Sequence, residues 1–246
     1  MLKFISIRRA VSMAVTLLLA TQSCISQAAL SLGGTRVVFE SDKRSVSVIV
    51  RNPSQDTYAA QAWINTEADD TTTAVPFIAS PPLFRLDPGK DQQVQINGLP
   101  NALPTDRESL FYFNIQEIPQ TNAITTNALN IALRTRIKLF YRPQNLQGSS
   151  VARLEELQWS VLEVGGKTRL KVNNPTPFHV SFVRLEVLVN GKSVVLQQPT
   201  MATPLSEHTF DLPGMKPMPG MQVVFSAIND YGAYTSPITR PIQTVR

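Results

Sequence analysis

The sequence predicts an all-β protein made of two sandwich domains. Short runs of alternating apolar and polar residues recur along nearly the whole chain, turn-forming residues separate them at sandwich-like spacing, and a polar stretch near residues 143–150 divides the chain behind its N-terminal segment into two halves. No segment reads as a long amphipathic helix.

The N-terminal segment stands apart. Residues 1–28 carry Lys3, Arg8 and Arg9, then an apolar run over 11–20, then Ser26 and Ala28 at the spacing a signal peptidase reads. Thr16, Thr21, Gln22 and Ser23 leave that run too short to cross about 30 Å of hydrocarbon. Cys24 lacks the leucine three residues upstream that a lipoprotein signal would carry; Thr21 stands there. Removal of 1–28 lowers the formal charge from +5 to +2 and takes away the only cysteine. The remaining chain has no basic concentration that would call for nucleic acid. It would enter an oxidising compartment without a disulfide and depend on apolar burial.

TRVVFE (35–40), SVSVIVRN (45–52), YAAQAWIN (58–65), QQVQING (92–98) and SLFYFNIQEI (109–118) follow in order as strands of the first half. Asn52-Pro53, Pro81-Pro82, Asp87-Pro88-Gly89 and Leu103-Pro104 punctuate them, since proline cannot sit inside a central strand. The last run, 128–141, alternates Leu129, Ile131, Leu133, Thr135, Ile137, Leu139 and Tyr141 against Asn130, Arg134, Arg136 and Lys138. A helical stripe competes with this reading but would place Arg136 in its middle. As a strand, the segment is far longer than the usual ~5–6 residues. The second half offers LQWSVLEV, TRLKVNN, FHVSFVRLEVLVN, KSVVLQQ, HTFDL and MQVVFSAIND, with Asn190-Gly191 as a hairpin turn. The expected divisions are 1–28, 29–147 and 148–246, and a cleft between two such domains is a common place for a partner.

Enzyme chemistry finds little support. There are two histidines, His179 within a strand and His208 in a polar loop, and no nucleophile, metal or phosphate-loop motif. No catalytic residue, metal or cofactor is assigned. A carbohydrate-binding sandwich would show aromatics on loops, but Trp63 and Trp159 lie in predicted strands. Arg36 and Lys138 sit among apolar strand residues; alternation alone places them on a solvated face, the alternative being a half-buried cation that awaits an anion.

Several stretches together resemble one family, the PapD-like periplasmic chaperones of the chaperone-usher pathway. They are TRVVFE, QAWI (61–64), SPPLFRLDPG (80–89), DRESLFYFNIQEIP (106–119), IALRTRIKLFYRP (131–143), NPTPF (174–178) and INDYGA (228–233), in the family's order. The resemblance implies two immunoglobulin-like domains in a boomerang arrangement and a periplasmic chaperone that completes pilus subunits by lending them a strand and hands them to an outer-membrane usher. Strand addition by this system is a known mode of recognition. By the resemblance, Leu129, Ile131 and Leu133 are the donor residues, and Arg36 and Lys138 grip the subunit's C-terminal carboxylate. Glu108, Arg142 and Asp230 bridge the domains, while Pro81, Pro82 and Ile118 match a usher-docking patch or are ordinary turn and edge residues. Subunits and usher are the implied partners, with self-association of the free chaperone as a protective state for an exposed apolar strand. The connection from Ile118 to Leu129 is short and free of cysteine, like the subclass serving rod-like pili.

Overall fold

The computed structural model describes residues 30–119 and 131–244. The first domain contains β1 (Ser31–Leu32), β2 (Arg36–Glu40), β3 (Ser45–Arg51), β4 (Tyr58–Asn65), β5 (Phe77–Ser80), β6 (Leu83–Leu86), β7 (Asp91–Gly98), β8 (Ser109–Pro119) and β9 (Arg134–Arg142). They form two sheets, ordered β1-β3-β7-β5 and β2-β9-β8-β4-β6. Alternation decides what lies between them: Val48, Val50, Val94 and Ile96 from one sheet meet Phe39, Phe113, Ile115 and Leu139 from the other, and all are buried.

A 3-10 turn, Val151–Glu156, leads into the second domain. Its strands are β10 (Gln158–Val164), β11 (Lys167–Asn174), β12 (Val180–Val189), β13 (Lys192–Val195), β14 (Met201–Ala202), β15 (Ser206–Asp211), β16 (Gln222–Ala227), β17 (Ile238–Pro241) and β18 (Gln243–Thr244). One sheet runs β15-β11-β10-β18 and the other β13-β12-β16-β17, with β14 also on β12. A separate core of Trp159, Val161, Leu170, Leu185, Val187 and Phe225 fills the space between them. The β12–β13 hairpin turns at Asn190 and Gly191, with φ of 47° and 71°, as Asn-Gly permits.

Three sequence expectations change. The strand expected from 128 is paired only from Arg134 onward; 131–133 lie outside it, and Leu129 lies outside the described residues. The two histidines exchange settings: His208 is on β15, with Nε2 2.7 Å from Thr200 Oγ1, and not in a loop, whereas His179 precedes β12 and is not within a strand. Arg36 and Lys138 are half-buried, because the face that alternation assigns to solvent is covered at that end by the second domain.

Candidate functional site: the elbow and the overhanging strand

β9 is central to the site because it pairs on both sides. It runs antiparallel to β8, from Ser109↔Tyr141 to Gln116↔Arg134, and parallel to β2, from Arg36↔Lys138 to Glu40↔Arg142. The parallel register sets Arg36 and Lys138 abreast on one sheet face. Side chains at every second position share that face, so Arg134, Arg136, Lys138, Phe140 and Arg142 form one row.

Three cations of this row and Arg36 beside it on β2 differ in their partners. Arg134 pairs with Asp69 and lies over Trp63, 4.9 Å from the ring centre. Arg136 donates to Thr66 O at 2.6 Å and lies 3.7 Å from the Tyr112 ring centre. Both are occupied locally. Arg36 Nη1 donates to Ile228 O at 3.1 Å, and Lys138 Nζ to Ser181 Oγ at 3.3 Å. Neither forms an ion pair among the described residues, and Arg36 Nε is buried without an acceptor. Burial is the main influence lowering the pKa of Arg36, with Asp230 and Glu108 acting the other way. Burial and then the charge of Arg36 pull Lys138 down. Two adjacent cations with unused donors make a site that an anion would stabilise, and a carboxylate can accept from both.

Deeper in the elbow, Arg142 joins the two domains. Its Nε donates to Glu108 Oε1 at 2.9 Å, while Nη1 and Nη2 donate to Asp230 Oδ2 and Oδ1 at 2.8 and 3.0 Å. Burial works against its charge, but the hydrogen bonds of Asp230 and the charge of Glu108 prevail and hold its pKa above the ordinary value. The structure therefore brings Glu108, Arg142 and Asp230 together, with Glu108 and Arg142 buried and Asp230 partly exposed.

Sequence reasoning missed the rest of this joint. The backbone N–H of His179 donates to Glu108 Oε2 at 2.8 Å, its ring Nδ1 lies 3.1 Å from the same oxygen, and Glu108 N–H donates to Pro177 O at 2.9 Å. Phe140 is buried against the His179 ring, 5.3 Å between centres, and Phe178 lies under Arg142. Phe140 was the available signal: it is the one apolar residue in an otherwise cationic row, so its face had to be covered.

At the other end of β9 the chain overhangs the sandwich. Ile131 is 62 % and Leu133 48 % exposed, whereas Ile137 and Leu139, on the same alternation, are buried. Pro81 and Pro82 form the turn between β5 and β6, and Ile118 is 41 % exposed on β8. Leu83, also exposed and passed over in the sequence, shares the outer face with Ile118 across β4.

Residues 29–147 match the family described as pili and flagellar-assembly chaperone, PapD N-terminal domain, and residues 152–239 match the pili assembly chaperone PapD, C-terminal domain. The chaperone protein FimB/FhaD of Bordetella pertussis is 37 % identical over 227 residues, covering 89 % of this chain and 90 % of that one. The probable fimbrial chaperone YadV of Escherichia coli is 35 % identical over 219 residues, 85 % of this chain and 89 % of its own. The crystal structure of YadV gives a TM-score of 0.76 at 33 % identity, over 87 % of this chain and 100 % of that one. A chain from the Salmonella enterica complex of the SafA pilin with the SafB chaperone gives 0.74 at 27 % identity, over 89 % and 98 %.

Proposed function

Because this chain belongs to the PapD family of pilus-assembly chaperones, we propose that its overhanging segment and its paired elbow cations together capture a pilus subunit. The segment 129–133 supplies Leu129, Ile131 and Leu133 to the groove of a subunit that lacks an edge strand. Arg36 and Lys138 hold the subunit's terminal carboxylate. The observation that supports this most is the continuity of the two features: exposed Ile131 and Leu133 lead, along one chain direction, to Lys138 abreast of Arg36.

Each buried side chain would contribute about 1.5–3 kcal/mol before ordering costs, and the added strand pairs backbone groups that the subunit leaves open. A fixed carboxylate sets the register, since a slip of one residue would turn every donor side chain away from the groove. Glu108, Arg142 and Asp230 then serve as the structural brace of the elbow, helped by His179.

The proposal extends to what surrounds capture. Residues 1–28 act as a cleaved leader that takes the chain to the periplasm, with domains over 29–147 and 148–246. The protein works without catalysis or cofactor, because exchange of its strand for a better-fitting one from the next subunit releases the free energy. Pro81, Pro82 and Ile118 dock at an outer-membrane usher. Co-expression with candidate subunits and recovery through a tag on the chaperone tests this reading. Wild type should retain a subunit and Lys138→Ala should lose it; equal recovery by both overturns the clamp.

A further inference from the structure

The inward positions of β8 run Phe111, Phe113 and Ile115, all buried, and then Glu117. Glu117 is 3 % exposed, and no ion pair holds it among the described residues. Its partners are main-chain groups instead. Leu30 N–H donates to Oε1 at 2.8 Å, and the Leu133 N–H also stabilises the carboxylate. In return, Glu117 N–H donates to Leu133 O at 2.9 Å, which carries the β8–β9 ladder one step past its last strand pair, Gln116↔Arg134. Glu117 thus stands opposite Leu133 and, by alternation, on the same side of the sheet.

This placement raises a physical question. Leu133 and Ile131 continue the row of Ile137 and Leu139, and apolar side chains overhanging an apolar core should fold back onto it. They stay exposed. Directly across from Leu133 the core ends in a buried, hydrogen-bonded carboxylate, which offers an apolar side chain folding back no apolar surface to cover. An apolar residue at 117 would instead join Ile115 to Leu133 and Ile131 in one continuous surface.

We propose that Glu117 is a positioning residue that closes the core beneath the donor segment, tethers its root through Leu133, and so keeps Ile131 and Leu133 directed outward for a subunit. The role in capture rests on the reading above; the exposure of the segment does not.

Two readouts separate these parts. The first needs no subunit: an Ile131→Cys reporter in the chain without residues 1–28 is labelled with a maleimide, alone and with Glu117→Leu. Labelling at least fivefold slower in the Glu117→Leu background is expected, and an unchanged rate overturns the inference. If Glu117→Leu does not fold, Glu117→Gln decides it by amide hydrogen exchange. Because glutamine keeps a single acceptor oxygen, one of the Leu30 and Leu133 amides should then exchange several-fold faster than in wild type, and wild-type rates at both overturn the proposal. The second readout is recovery of a co-expressed subunit, with Lys138→Ala beside it. Loss of at least tenfold by folded Glu117→Leu is expected, and wild-type recovery overturns its role in capture. A wild type that recovers no subunit defeats the capture reading alone, since the labelling result stands by itself.

Discussion

Replacing Lys138 by alanine separates function from fold. Among the described residues Lys138 has only the Ser181 hydroxyl at 3.3 Å, and its charge is disfavoured by burial and by neighbouring Arg36. Removing it should leave the stability of the fold unchanged or raise it slightly. Subunit binding loses one charge-assisted hydrogen bond, about 1.5–3 kcal/mol. That corresponds to a dissociation constant weaker by about 10- to 150-fold. Titration calorimetry with a purified subunit, alongside urea unfolding of the free variant, measures both quantities. A subunit amidated at its C-terminus should lose at least as much with wild type, since Arg36 also loses its anion, and little more with Lys138→Ala. Binding within twofold of wild type by the variant would refute the carboxylate assignment, as would a variant that fails to fold.

The remaining predictions concern the brace, the donor segment and pH. Arg142→Ala strands Glu108 in the elbow with only its His179 contacts, so unfolding free energy should fall by about 3–5 kcal/mol; a loss below about 1 kcal/mol in urea unfolding contradicts the brace. Ile131→Asp should cut subunit recovery at least tenfold at unchanged stability, because that side chain is 62 % exposed in the free chain; recovery at wild-type level refutes insertion. Lys138 titrates below its ordinary value of 10.5 in the free chain, and a bound carboxylate would raise it. Subunit affinity should therefore hold near neutrality and weaken as the pH rises through the free-chain value, whereas affinity constant up to pH 10.5 contradicts the assignment. Burial raises Glu117 above the ordinary carboxylate range, against the pull of its backbone hydrogen bonds. Its contribution to stability is then complete below about pH 4.3, the unfolded value, and is lost as the pH rises through the folded value. The urea midpoint of wild type relative to Glu117→Gln should fall over that window, and a flat difference refutes it.

Much of this was legible from alternation alone. Val37, Phe39, Phe113, Ile137 and Leu139 are inward in the pattern and buried in the structure. Asn190-Gly191 marks its hairpin because few other residues accept the backbone that the turn requires. What alternation could not give is any relation between strands distant in sequence. The same period that exposes Arg36, Lys138, Phe140 and Arg142 to solvent in an isolated sheet says nothing of a second domain arriving from residues 177–181 and 228–230 to cover them. The bridging role of His179 stayed hidden for that reason: its partner Glu108 lies 71 residues away. Glu117 escaped notice for another. It occupies an inward strand position with the wrong polarity, and only the meeting of Leu30 and Leu133 at its carboxylate explains why.

Hydrogen exchange of a purified chaperone–subunit complex tests the central claim most directly. The backbone amides of 131–132 should become protected by at least a hundredfold relative to the free chain, and that protection should fall with Lys138→Ala in proportion to its weaker binding. Amides at 131–132 that exchange at the free-chain rate within an intact complex would show that the subunit is held somewhere else.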